Sequence, residues 1–316
     1  MSTVSWSRLI RFVPANDDTV ILYGEPITED LQDIGATADR GELKALVIQV
    51  DSTGPLSATA RVTSEVVVVG KLLGPLAMEH CSDIKCIGLN YRKHIQEAGR
   101  SLPPFPSLFI KPATSLADYN EVVPIPKCAQ EGEADYEGEL CAVIGKDCKD
   151  VKVEHALSYV AGYTAGDDVS ARKWQRLKER AGGVPQWCFS KVTRTACYSS
   201  LQLTSVQGFD KFAPLGPVLV ASNLIPDPSK LHMKVHVNGE ARQDTMIEDL
   251  VFDIPTLISF LSQGTTLRRG TVIMTGTPGG VGCTGPEEKW NPLKDGDKVE
   301  VWISEIGTLR HGIKYM

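Results

Sequence analysis

Glu137 and Glu139 stand two residues apart in the run Asp135-Tyr136-Glu137-Gly138-Glu139-Leu140, and a second acidic run, Gly166-Asp167-Asp168-Val169-Ser170-Ala171-Arg172, follows. The first run continues into Cys141-Ala142-Val143-Ile144 and reads as a strand, whose period of two puts both glutamates on one face. A third carboxylate at the end of a neighbouring element would complete an all-oxygen cage. Such a cage suits Mg²⁺ or Mn²⁺, with Ca²⁺ a further candidate, and not Zn²⁺ with its nitrogen and sulfur ligands. A lone Glu-x-Glu is more often the mark of an acidic, solvent-facing edge strand, so the metal reading depends on what accompanies the pair.

Three other groups bear on it. Asn90 to Gly99 reads as a short helix in which His94 and Glu97, three apart, are neighbours. A carboxylate beside an imidazole fixes its tautomer and raises its basicity, as activation of water requires; a surface helix contact is the plainer reading. Ser170 is placed to cap a helix from Ala171 to Gly182-Gly183, with Arg172 and Gln175 on one face near its start. These two could bind the carboxylate of an acidic substrate. Met274-Thr275-Gly276-Thr277-Pro278-Gly279-Gly280 reads as a strand entering a Gly-rich loop, where backbone N–H groups, Gly276 included, and the Thr277 hydroxyl could hold an anionic oxygen. Two motifs are set aside. Gly280-Val281-Gly282-Cys283-Thr284-Gly285 has the dinucleotide spacing, but Pro286-Glu287-Glu288 follows where a helix should begin. His232 and His236 alternate along a strand and face solvent with Lys234.

The elements that must position these residues are mostly strands. The first 80 residues read as short strands around Val20–Glu25, Ala45–Val50 and Glu65–Gly70, forming a small accessory domain, 1–80, ahead of a larger one, 81–316. Asn238-Gly239 marks a hairpin, and Asp253-Ile254-Pro255 opens a helix over Thr256–Gln263. Many irregularly spaced strands with few helices predict an α+β, mainly β fold rather than a doubly wound sheet. The chain has 316 residues, 42% hydrophobic and 23% charged, with net charge −6. That balance argues against nucleic acid or an anionic membrane as partner, and no apolar run approaches the roughly 20 residues that span a bilayer. Eight cysteines without a Cys-x-x-Cys pair look like reduced thiols, and Met1 to Asp18 lacks a secretory core; a cytoplasmic protein is expected, with mitochondrial targeting left open.

Together these pieces resemble the fumarylacetoacetate hydrolase superfamily, in its domain-containing branch. The matching runs are Cys86 to His94, Pro106 to Pro112, Asp135 to Gly145, Gly162 to Gln175, Phe212 to Pro217 and Thr275 to Gly282. The resemblance implies a mixed β-sandwich roll and a divalent cation held by Glu137, Glu139 and Asp168. It implies a lid-helix dyad of His94 and Glu97, an active-site lysine at Lys191, and substrate contacts from Arg172, Gln175, Gly276 and Thr277. It further implies a homodimer acting on a small keto acid: a hydrolase of acylpyruvate or fumarylacetoacetate type, with oxaloacetate decarboxylase or keto–enol tautomerase, or an inactive ligand-binding homologue, as alternatives.

Two departures stand out. Lys173 occupies a position where relatives usually carry Asp. Residues 192–207, Val192 to Gln207, intervene where relatives run almost directly from the lysine into Gly208-Phe209-Asp210. The segment begins with Val, whose codons start GT, and ends with Gln, which CAG encodes. Leu203-Thr204 can be written with CTAAC, a branch-site sequence. A retained short intron fits these marks, and a transcript containing the segment would refute it.

Overall fold

The computed structural model describes residues 4–28, 33–97, 99–176 and 208–316. The expectations for Lys191, for 192–207 and for the Gly182-Gly183 helix end lie outside them, as does the Glu97 side chain.

The N-terminal segment supplies β1 (Arg8–Pro14), β2 (Leu22–Ile27), α1 (Ile34–Asp39), β3 (Lys44–Gln49) and β4 (Arg61–Leu73). The strands pair β1 with β2, β2 with β3, β3 with β4 and β4 back to β1, a closed ring that leaves none of the four an open edge. β1 also pairs with β13 (Ala213–Ala221), Arg8 facing Val220, so the small unit shares a strand with the larger sheet. Asp33 caps α1 by accepting from the Ala36 N–H and also receives the Thr308 hydroxyl at 2.6 Å and Arg310 at 3.2 Å.

The rest is mainly β. From β13 the large sheet runs through β11 (Val160–Asp167), β10 (Gly138–Ile144), β16 (Val272–Met274) and β5 (Ile84–Gly88) to β6 (Ser107–Lys111). A second sheet runs β15 (Glu240–Met246), β14 (His232–Val237), β17 (Lys298–Ile303), β18 (Gly307–Tyr315), β8 (Val122–Ile125). The sheets share one core in which Leu140 and Ala142 of β10 meet Met233, Val235, Val299 and Val301. Every residue of β10 and β11 is buried, which makes them central strands covered on both faces. Gly138 packs tightly against the second sheet: a Cβ there would collide with Cγ2 of Val235.

Local expectations fare unevenly. Asn238 (φ 52°) and Gly239 (φ 80°) make the hairpin turn between β14 and β15. Helix α4 spans Ile254–Leu261, capped by Asp253, with Gly264 in the left-handed region beyond its end. The strand expected around Val20–Glu25 differs: Val20 and Ile21 precede β2, which starts at Leu22, and β1 ahead of it was not expected.

Candidate metal centre

The segment that reads as one strand is interrupted at its most acidic point. β9 (Ala134–Asp135) ends, Tyr136 and Glu137 follow, and β10 begins at Gly138. Glu139 lies inside β10, Glu137 just before it, and Asp168 one residue past the end of adjacent β11, whose Asp168 N–H donates to the Glu137 carbonyl at 2.9 Å. One oxygen from each of Glu137, Glu139 and Asp168 lies within 4.8 Å of the others. The predicted cage is thus assembled at the mouth of two central strands.

Burial makes this cluster unstable as three free anions. It pushes the Glu137 carboxyl up to about 7, against the lowering influence of Arg172. Glu139 is pushed well above the usual range, first by burial and then by Asp168 and Glu137. Asp168 is raised by burial, with Lys111 opposing. Lys111, fully buried at the end of β6, lies with Nζ 2.5 Å from Asp168 Oδ1 and also donates to the carbonyls of Val169 and Phe212. Beyond this Lys111 contact to Oδ1, neither buried oxygen of Asp168 has a partner among the described residues. An oxygen-only donor set in which one buried carboxylate oxygen, Asp168 Oδ2, has no partner among the described residues fits a hard divalent cation.

Arg172 opens α3 (Arg172–Arg176) and spends its guanidinium on protein groups: Nε on Asp135 at 2.7 Å, Nη2 on Glu137 at 2.5 Å and Nη1 on Gln175 Oε1 at 3.2 Å. Arg172 thus links Gln175 to the cage carboxylate Glu137. The cap of α3 differs from expectation. Ser170 is engaged in β12 (Ser170–Ala171), paired with Asp135, and its hydroxyl donates to the Asp168 carbonyl. The carboxylate of buried Glu133 accepts the Lys173 and Trp174 N–H groups instead.

The Gly-rich loop also comes to the cage. The Gly276 N–H donates to Glu139 Oε2 at 2.6 Å, and its φ of +102° with Asn90 Cβ and Ile87 O each 2.9 Å from a would-be Cβ leaves room only for glycine. The Thr277 hydroxyl donates to the Gly138 carbonyl at 3.0 Å and accepts from Gln243 at 2.8 Å. His94 lies on α2 (Arg92–Glu97), half-buried. The root of α2 is pinned by Asn90, whose amide donates to the Thr275 and Phe252 carbonyls at 2.8 and 3.0 Å and accepts the Phe252 N–H.

Lys111, Asn90 and Gln243 were not expected as site residues. Lys111 carries the one readable signal, a lysine in the inward phase of β6, two residues from buried Phe109.

The sequence model of the Fumarylacetoacetate (FAA) hydrolase C-terminal family matches residues 83–201 and 195–314. The chain belongs to the fumarylacetoacetate hydrolase family. The two matches meet inside 192–207. The chain is similar to a caffeoylpyruvate hydrolase of Neonothopanus nambi, 38% identical over 98% of this chain and 94% of the relative. It is also similar to a mitochondrial oxaloacetate tautomerase of Xenopus laevis, 37% identical over 77% of this chain and 68% of the relative. Among solved structures, the fumarylpyruvate hydrolase from Pseudomonas aeruginosa in complex with Mn²⁺ and pyruvate is 27% identical with a TM-score of 0.60, covering 80% of this chain and 93% of that one. Hydrolases and tautomerases thus share this family fold, and the α+β, mainly β architecture is the family's.

Proposed function

We propose that this protein is a divalent-cation-dependent hydrolase that cleaves a carbon–carbon bond in a small 1,3-diketo acid of acylpyruvate or fumarylacetoacetate type. The observation that carries the reading is the cage of buried Glu139 and Asp168 with partly buried Glu137. The similarity to a caffeoylpyruvate hydrolase along nearly the whole chain supports hydrolysis in particular. Mg²⁺ or Mn²⁺ held by the cage supplies Lewis acidity toward keto and carboxylate oxygens. His94, oriented by Glu97, takes a proton at its imidazole from the water that adds to the acyl carbonyl. The carbon–carbon bond breaks with its electron pair going to the carbon between the two carbonyls, and protonation there yields a carboxylic acid and a keto acid, pyruvate where the substrate is an acylpyruvate. In this reading Lys191 stabilises the enolate charge, while Arg172, Gln175, Gly276 and Thr277 bind or shape the acidic end of the substrate. The reading also takes the active protein as a cytoplasmic homodimer, to be checked by light scattering and cell fractionation.

The similarity to an oxaloacetate tautomerase favours a second reading, keto–enol interconversion at the same cage, with decarboxylation its near relative. Loss of enol absorbance by acylpyruvates and oxaloacetate, followed with and without Mg²⁺ or Mn²⁺ and with Glu137→Ala as control, separates them. Cation-dependent release of pyruvate from an acylpyruvate supports hydrolysis. Turnover of oxaloacetate alone supports tautomerisation or, if CO₂ appears, decarboxylation. No turnover of either substrate supports an inactive binding homologue.

A further inference from the structure

His311 and Asp167 form a fully buried pair that the proposed reaction does not use. His311 comes from β18 in the second sheet, 144 residues from Asp167, and its Nε2 lies 2.7 Å from Asp167 Oδ2. A carboxylate oxygen accepts, so Nε2 donates; His311 Nδ1, also buried, has no hydrogen-bond partner among the described residues. The other oxygen, Asp167 Oδ1, accepts the Glu137 N–H at 2.6 Å. Glu137 is consequently clamped on both sides by consecutive aspartates, its N–H by the Asp167 side chain and its carbonyl by the Asp168 N–H.

The clamp sits where it is needed. Glu137 lies in the two-residue break between β9 and β10, outside the regular strand hydrogen bonding that fixes Glu139. Asp167 is also a carboxylate one residue from Asp168, and its charge is felt there. Held by only one hydrogen bond, a buried carboxylate would be left partly unsatisfied and could turn toward the cage as an unwanted fourth anion. The imidazole supplies the second bond and, with the Glu137 N–H, holds both Asp167 oxygens.

We propose that His311 and Asp167 are positioning residues that preset Glu137 for cation binding, so that a residue of the far sheet tunes the affinity of the cage. The proposal rests on the reading of Glu137, Glu139 and Asp168 as cation ligands. Groups that orient ligands in this indirect way typically change metal affinity by roughly 10–100-fold when removed.

The test is calorimetric titration of Mn²⁺ into the metal-stripped full chain, with circular dichroism to confirm folding. His311→Ala is expected to bind Mn²⁺ about 10-fold more weakly or worse, while His311→Gln, whose amide can donate from nearly the same place, recovers most of the affinity. Folded His311→Ala with wild-type Mn²⁺ affinity overturns the proposal, as does a glutamine variant no better than alanine. If the alanine variant does not fold, Asp167→Ala replaces it, removing the acceptor of both the Glu137 N–H and the His311 Nε2 proton; weaker binding supports the pair and unchanged binding overturns it. If the wild-type chain itself binds no Mn²⁺, the cage reading falls and the proposal with it.

Discussion

Lys111 and Asp168 form an ion pair of 2.5 Å in which both side chains are fully buried. The pair joins the end of β6 to the end of β11 and gives the carboxylate cluster its only fully buried lysine among the described residues. Removing one partner of such a pair strands the other charge in a dry interior, at a cost of about 3–5 kcal/mol. Lys111→Met should lower the stability of the metal-free protein by that order in urea denaturation with EDTA present. Saturating Mn²⁺ should recover part of the loss, because a cation can replace the missing counter-charge. An unchanged urea midpoint would show that Asp168 does not depend on Lys111.

Glu139→Gln separates charge from hydrogen bonding. The glutamine carbonyl can still accept the Gly276 N–H that Glu139 Oε2 accepts at 2.6 Å, so the Gly-rich loop should stay in place. The variant should remain folded, with metal-free stability equal to or above wild type, since one member of a repelling buried group becomes neutral. Its Mn²⁺ affinity should fall by roughly 100-fold, the upper end of what even indirect changes at metal sites produce. Retained affinity in calorimetry would remove Glu139 from the ligand set.

The ease with which this site could be read from sequence varies with distance along the chain. Glu137 and Glu139 are visible because two-residue spacing places them on one side of the chain, and Asp168 because its run is recognisable. The cap of α3 was misplaced because Ser170 has the right chemistry locally, whereas Glu133 wins through the pairing of β9 with β12. Lys111, Asn90, Gln243 and the His311–Asp167 pair come from strands and loops far apart in sequence. No local pattern encodes which strands become neighbours. The closed ring of β1 to β4 was hidden for the same reason: short strands are legible, their partners are not.

Proton competition gives the site a pH signature. In the metal-free fold Glu137 titrates at about 7 instead of its ordinary 4.5, and Glu139 and Asp168 shift in the same direction. A carboxyl whose folded value is raised binds protons more tightly in the native state. Its contribution to stability is therefore fully present below about 4.5 and is lost as pH rises toward about 7. The cation needs the ionised form, so its apparent affinity should fall as pH drops through that window and its binding should release protons. Thermal unfolding between pH 5 and 8 should show the metal-free midpoint falling with pH while the gap opened by Mn²⁺ widens. A gap independent of pH would mean that these carboxyls do not titrate against the cation.

Gly138 tests whether the meeting of the two sheets sets the geometry of the cage. It lies between Glu137 and Glu139, its N–H donates to Gln243 at 3.1 Å, and the space above its Cα is filled by Cγ2 of Val235. Val235 is β-branched and stiff, so an added methyl at 138 must displace β10 or force Val235 from its rotamer. Overpacking of this kind costs about 1–3 kcal/mol. Gly138→Ala should therefore lower the unfolding free energy by that order and weaken Mn²⁺ binding, since both glutamates move with the strand. Val235→Ala alone leaves a cavity and should also destabilise. Combined, the two changes place one methyl in the space that Val235 Cγ2 vacates, while the loss of Cγ1 stays uncompensated, so the double variant should be more stable than the sum of the single losses predicts, with Mn²⁺ affinity partly restored. Strict additivity would mean that the contact between β10 and β14 does not govern the position of the glutamates.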